Sequence, residues 1–164
     1  MSIGQDLLAE FDQEMATTRR LLERVPGDQV EWRPHPKSFP LGHLAQLVSW
    51  MPGWIAMALQ QDSLDLGTGG GKYSFEKTET LLSEFDKAVK RGRDALAAAS
   101  DGDFALPWSL KFHGNVLFTS TRGATVRQTI SHLVHHRGQL TVYLRLLDVP
   151  IPSIYGPTAD EKSW

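Results

Sequence analysis

Residues 125–148, TVRQTISHLVHHRGQLTVYLRLLD, decide the fold class of this chain. Their apolar residues recur at steps of three and four, which is the period of an amphipathic α-helix. The leucines on this stripe are Leu133, Leu140, Leu144 and Leu147. The pattern predicts a helix from about Val126 to Asp148, begun by a capping box of Thr125 and Gln128 and ended by Pro150.

Three more stretches have the same helical period, and no stretch has a convincing strand pattern. Their approximate bounds are residues 2–24, 39–60 and 74–100. A capping box of Ser2 and Gln5 is expected to begin the first helix. Ser38 is expected to cap the second helix and Pro52 to kink it, and residues 101–103 are expected to end the third.

The connections between these helices are long in two places. The glycine-rich residues 67–71 predict a flexible connection, and residues 104–122 predict a long ordered crossover with room for a short extended piece. Four helices without a sheet give an all-α fold, a four-helix bundle. Long connections favour a topology with a crossover over a simple up-down-up-down arrangement.

Composition excludes several classes of protein. A length of 164 residues suits one domain, residues 1–164. The absence of cysteine excludes disulfides, thiolate metal sites and a cysteine nucleophile. A net charge of -2 without a basic block gives nucleic-acid binding little support. No apolar run approaches the ~20 residues of a membrane span, and the N-terminus does not resemble a signal peptide, so we expect a cytoplasmic protein.

Three of the six histidines fall on helices where they can meet. At ~100° per residue, His132 and His136 lie on the flank of the apolar arc of the last helix, whereas His135 points away from the core. His43 lies on the flank of the apolar stripe of the second helix. Two histidines four residues apart share one helix face, so both can reach one metal ion, and His43 can supply the further ligand that such a site needs.

The acidic residues are missing where other metal sites would need them. Residues 32–61 and 104–147 contain no Asp or Glu, which argues against a di-iron bundle and against a metalloprotease glutamate. What remains is one divalent metal ion on His43, His132 and His136, with open positions for water or an anion. The alternative for His43 is a hydrogen-bonded core histidine. His35 and His113 are expected to be structural or surface residues.

The sequence motifs resemble a known family. His43 in GHLAQLV and His132-x-x-x-His136 running into HRGQLTVYLR, followed by the tail PSIYGPTADE, are similar to the DinB-like (DinB/YfiT) superfamily. The resemblance spans essentially the whole chain. It implies an up-down-down-up bundle, often a homodimer, with zinc or nickel on one histidine of the second helix and two of the fourth. It also implies relatives that are metal-dependent transferases and isomerases using low-molecular-weight thiols.

Other side chains have two interpretations each. Arg137 falls inside the apolar arc, so it must be paired. We favour a salt bridge to an acid on the first or third helix over contact with an anionic ligand. Gln139 could orient a ligand or a metal-bound water, and for Tyr143 a core role is favoured over a catalytic one. Trp50 and Trp54 could line a pocket or fill the core. Three other aromatic residues could cover the site or a dimer contact: Trp32, Trp108 and Tyr155.

Three functions follow from these residues. The first is a metal-dependent enzyme of the thiol-transferase or hydrolase type acting on a small molecule, with a metal-bound water or thiolate as reacting group and Gln139 and Tyr143 as candidate catalytic residues. The second is a non-catalytic metal-binding stress or sensor protein. The third is a structural dimer whose histidines are incidental.

Overall fold

Four long helices form the body of the molecule. The computed structural model describes residues 2–68, 73–75 and 77–162. The long helices are α1 (Ile3–Leu22), α2 (Leu41–Gln60), α3 (Thr78–Ala98) and α5 (Arg122–Leu146), and the short α4 (Asp101–Ala105) precedes the last of them. A 3-10 turn follows α2 at Leu66–Thr68. Three of the five residues predicted as a flexible connection, 69–71, lie outside the described residues.

The capping box predicted at the start of α1 is confirmed, but the one predicted at the start of the last helix is not. Ser2 and Gln5 form the predicted capping box. α5 begins at Arg122, where the Thr121 side chain accepts a hydrogen bond from the Ala124 amide. The predicted capping box at Thr125 is wrong, because the Thr125 hydroxyl donates to the Thr121 carbonyl inside the first turn. α5 is therefore one turn longer at its N-terminal end than predicted.

The predicted start of α2 was wrong, and the residues predicted to end α3 also begin another helix. Pro40, not Ser38, is the N-cap residue of α2, since it is extended and the helix begins at the next residue. α3 ends at Ala98, close to the predicted end, and residues 101–103 then begin α4, because the Ser100 and Asp103 side chains form a capping box there. A short polar stretch can begin a helix as readily as it ends one.

The fold is mostly helical, but a small sheet beside the helices means that the all-α prediction holds only in part. Its strands are β1 (Ser63–Asp65), β2 (Pro107–Phe112) and β3 (Asn115–Thr121), in the order β1-β2-β3. β1 and β2 are parallel, whereas β2 and β3 are antiparallel with Ser109 opposite Thr119. The hairpin turns at His113 and Gly114, which have φ values of 48° and 79°. Two adjacent positive φ values suit the tight turns that match strand twist.

α2 lies at the centre of the packing, between α3 and α5, while α1 packs mainly on α3. The twenty residues of α2 include no Asp, Glu, Lys or Arg, and α2 runs unbroken through Pro52. A Cβ added at Gly92 of α3 would lie 2.4 Å from the Pro52 carbonyl oxygen, so the glycine allows the two helices to approach closely. Within the described residues, no helix is both long and apolar enough to cross a membrane.

Candidate functional site

Two imidazoles meet one turn apart on the inner flank of α5. The Nε2 atoms of His132 and His136 are 2.9 Å apart. His136 is buried, with 9% of its surface exposed, whereas His132 is exposed. The predicted orientation of His136 and the surface position of His135 are confirmed, so the helix directs one histidine inward, one along its rim and one to the surface.

Gln139 fixes the orientation of the His136 ring. The His136 Nδ1 atom lies 2.7 Å from the Gln139 Oε1 atom. An amide oxygen only accepts, so Nδ1 is the donor in this contact, and in the neutral tautomer of His136 the Nε2 atom then has a lone pair. A proton on the His132 Nε2 atom then bridges the two rings. Gln139, which the sequence suggested would orient a ligand or a water, holds a histidine instead.

The donor set of this pair suits a divalent cation. Two nitrogens bound to one zinc ion at about 2.0–2.1 Å lie about 2.8–3.4 Å apart for angles between 90° and tetrahedral. The observed Nε2 separation of 2.9 Å lies within that range. Burial, and then the charges of His136 and His135, lower the pKa of His132. A lowered pKa keeps an imidazole neutral at pH 7, which is the form that binds metals.

His43 of α2 is held in an aromatic sandwich near this pair. Its ring stacks on Phe39 with centroids 4.1 Å apart and on Tyr73 with centroids 4.4 Å apart. Burial and then the charge of His136 lower the pKa of His43. The charge of His136 therefore acts on His43. The His43 ring itself is held flat between Phe39 and Tyr73.

The structure joins two members of the predicted triad rather than three. Across residues 2–68, 73–75 and 77–162, no group of three or more His, Cys, Asp or Glu side chains could hold a metal ion. His132 and His136 are in contact, and His43 is their neighbour without being part of such a group. Ligation by His43 thus stays a prediction.

A cavity of about 410 Å³ opens beside His136. Besides His136, its lining residues are Lys37, Ser38, Phe39, Gln139, Val142 and Tyr143. The Tyr143 hydroxyl donates to the Phe39 carbonyl at 3.1 Å, and its ring packs edge-on against Trp32. These two contacts fix the loop before α2 against α5 and form the cavity wall. Tyr143 is half-buried, so it both packs in the fold and lines the cavity.

Sequence reasoning missed the residues that the loop contributes. Lys37 and Phe39 stand in PHPKSFP, where prolines remove any helical or strand period. Tyr73 follows a glycine run and carried no signal either. The only available indication was the absence of acidic residues from 32 to 61, the stretch that contains Lys37.

The aromatic residues of uncertain role divide between the site and other parts of the fold. Trp54 is half-buried with its ring 6.0 Å from that of His132, and Trp50 packs at a tilt on Tyr73 at 5.0 Å. Both line a second depression of about 480 Å³. Trp108 is buried on β2, at 6% exposure, and packs against Phe118 rather than lining the cavity beside His136.

Arg137, next to His136, is a structural residue, as favoured from the sequence. It is 1% exposed, and its guanidinium lies 2.6 Å from the Glu14 carboxylate on α1. It also donates to the Glu14 carbonyl and to Thr18 at 3.1 Å each. The Tyr155 hydroxyl accepts from Arg137 at 2.7 Å and donates to the Glu14 carboxylate at 2.9 Å. Tyr155 therefore closes this network rather than covering the histidines.

The remaining histidines lie outside the pair. His35 is exposed, and its Nδ1 atom accepts from the Lys37 amide at 3.1 Å. His113 is exposed in the hairpin turn. Both positions agree with the structural or surface role expected for them.

Comparison with known proteins identifies relatives by sequence and by fold. A model of the DinB family matches residues 1–163. A DinB-like protein from Bacillus cereus ATCC 10987 is 20% identical, with 92% of this chain and 97% of that chain covered and a TM-score of 0.71. A DinB-like protein from Bacillus subtilis is 14% identical, with 96% and 99% covered and a TM-score of 0.69. At these identities the structural likeness shows the fold alone. No curated protein matches the chain.

Proposed function

The chain belongs to the DinB family, and from this premise we propose that His132, His136 and His43 bind one divalent metal ion, zinc or nickel. The observation that carries the proposal is the convergence of two Nε2 atoms at 2.9 Å with one ring fixed by Gln139. Metal-bound histidines usually donate their other ring N–H to a fixed acceptor. The His136–Gln139 contact has that arrangement.

The protein side chains prepare the site for a cation. Lowered pKa values keep His132 and His43 neutral, and the aromatic sandwich limits rotation of the His43 ring. α2 and α5 supply no carboxylate, which favours a nitrogen site over an oxygen site. When bound, such an ion supplies Lewis acidity to a water or thiol at its open positions.

The reaction that we propose is a metal-dependent thiol transfer or hydrolysis on a small molecule. The cavity of about 410 Å³ next to His136 supports it, since this volume lies in the usual range for small-molecule sites. Gln139 positions His136, and Tyr143 holds the cavity wall. A low-molecular-weight thiol is the proposed co-reactant for the transferase.

A second candidate, a non-catalytic metal-binding stress or sensor protein, is favoured by one observation. None of the described residues that line the cavity is an Asp or Glu, so this lining offers no carboxylate to act as general base. A sensor predicts that metal raises the melting temperature without turnover. Screening the zinc- and nickel-loaded protein for thiol conjugation and for ester and amide hydrolysis separates the two candidates.

Elemental analysis of purified variants tests the metal site itself. Wild type is expected to retain about one ion per chain, and His132→Ala and His136→Ala are expected to lose it. His135→Ala is the matched control, because His135 is the neighbouring, exposed histidine and should keep wild-type metal content. Equal metal content in all variants would refute the site.

His43 needs a separate test, because it does not touch the pair. We propose that His43→Ala lowers metal retention. His43→Phe preserves stacking with Phe39 and Tyr73 but removes the ring nitrogens, so it should lower metal retention equally. If His43→Phe retained wild-type metal content, His43 would serve only the packing.

The family resemblance also leads us to propose a homodimer, which light scattering coupled to size-exclusion chromatography can measure.

A further inference from the structure

We propose that the cavity beside His136 binds an organic anion, a carboxylate or phosphate ester carrying an apolar body, with Lys37 as the residue that selects the charge. This inference deepens the proposed function, on which it rests for the chemistry at His136. It names the class of small molecule and a residue that determines specificity.

The polar side of the cavity presents donors. Lys37 lines it, and its ammonium forms no ion pair with any residue in the described part of the chain. The Gln139 Oε1 atom is held by His136, which leaves the amide N–H groups of Gln139 as its remaining polar function. The Ser38 hydroxyl can donate as well. A ligand that complements these groups must supply acceptors.

The described residues that line the cavity with Lys37 include no Asp or Glu. No Asp or Glu occurs in residues 32–61, which include the loop and α2, nor in residues 104–147, which include α5. A cation on the wall of a concave site without opposing charge raises the local concentration of anions. A cationic ligand, by contrast, would meet repulsion from Lys37.

The other side of the cavity is apolar and open. Phe39 is 46% exposed and Val142 is 58% exposed, and both line the cavity together with the Tyr143 ring. One face of the Phe39 ring is covered by His43, so the exposed part is available to a ligand. Apolar surface that borders a polar group in a cavity is typical of small-molecule sites. It would cover the hydrocarbon part of the ligand.

The two walls together define the ligand. An anion lacking an apolar body gains only the Lys37 contact, and a neutral apolar molecule gains only the Phe39 and Val142 contacts. A molecule with both parts gains both. Lysine is a point charge that does not distinguish planar carboxylates from phosphates, so the two anion types are separated by experiment.

Binding measurements with simple probes test the inference. The probes are 4-phenylbutyrate, its neutral amide 4-phenylbutyramide, phenyl phosphate and acetate, titrated by NMR into metal-free and metal-loaded protein. We expect 4-phenylbutyrate or phenyl phosphate to bind about three- to tenfold more tightly than the amide, with the preference shrinking at high salt. Acetate should bind more weakly than either. The tighter of the two aromatic anions identifies the preferred head group.

Variants decide whether Lys37 causes the preference. Lys37→Met should abolish the difference between anion and amide while leaving amide binding unchanged. Lys87→Met is the matched control, since Lys87 is an exposed α3 lysine with 64% side-chain exposure outside this cavity, and it should behave as wild type. An unchanged preference in Lys37→Met, or no binding of any probe at millimolar concentration, overturns the inference.

The experiment also separates this inference from the proposed function. If elemental analysis finds no metal but the Lys37-dependent preference persists in metal-free protein, the metal proposal fails alone. If metal is bound and Lys37→Met keeps the anion preference, the anion then contacts the metal and the assignment to Lys37 fails alone.

Discussion

Replacing Arg137 by methionine should destabilise the fold strongly. The substitution removes a guanidinium that is 1% exposed and leaves the Glu14 carboxylate, 8% exposed, without its cation. Breaking a buried ion pair from one side costs about 3–5 kcal/mol. The Tyr155 hydroxyl still donates to that carboxylate, so we expect the lower part of the range, about 3–4 kcal/mol. For a domain of this size that lowers the melting temperature by about 6–16 °C.

Urea denaturation followed by circular dichroism measures the free energy of unfolding, with two controls. Arg93→Met removes an exposed pair with Asp12, in which both side chains are more than 40% exposed, and should cost less than about 1 kcal/mol. The double variant Glu14→Gln/Arg137→Met removes the uncompensated charge and should recover about 1–2 kcal/mol. If Arg137→Met cost no more than Arg93→Met, the network would have no special role and the reasoning would be refuted.

Three further perturbations probe other parts of the molecule. Gln139→Ala should weaken metal retention by about 10- to 100-fold in chelator competition, because the histidine loses its orienting acceptor. Gly92→Ala should lower the free energy of unfolding by about 1–3 kcal/mol in a urea titration, since its Cβ would lie 2.4 Å from the Pro52 carbonyl oxygen. The hydrogen bond from Arg145 lowers the pKa of Asp160, so this carboxylate stabilises the C-terminal segment above pH ~4. That stabilisation is lost as the pH falls through the lowered pKa, and limited acid proteolysis should then release the segment.

Each of these has its own control. Gly138→Ala makes the same substitution in α5, where nothing lies within 4 Å of the new Cβ, and should stabilise the helix by up to about 1 kcal/mol. Gln139→Glu keeps an acceptor for His136 and should retain metal better than Gln139→Ala. Asp160→Asn should already be cleaved in its C-terminal segment at pH 7. A segment equally protected in Asp160→Asn and wild type would contradict the role given to this carboxylate.

The helical period carried most of what the sequence could predict. It placed His136 on the inner side of α5 and His135 on its surface correctly, because each helical residue turns by a fixed angle, whereas His132, which was expected to face the bundle, is exposed. The same wheel placed Arg137 in the apolar arc, and the need to pair a buried guanidinium led to an acid on α1 or α3, which is Glu14. These predictions depended only on local geometry and on the cost of burying charge.

The sheet and the cavity wall could not be predicted in this way. β3 is exposed on nearly every residue, so its sequence NVLFTST has no alternation of apolar and polar residues to reveal a strand. β1 has only three residues. Lys37 and Phe39 reach the site through a proline-rich loop whose path depends on tertiary contacts, among them the Tyr143 hydrogen bond. The distance from His43 to the α5 pair likewise depends on how two helices pack.

The Glu14–Arg137–Tyr155 network joins residues that are 141 positions apart. During synthesis on the ribosome, α1 emerges long before either of its partners exists. Its carboxylate must stay hydrated until Arg137 and Tyr155 have been made, because a buried carboxylate without a cation is costly. α1 can therefore dock in its final place only after residues 137 and 155 have both been made, so this part of the fold forms late rather than progressively along the chain.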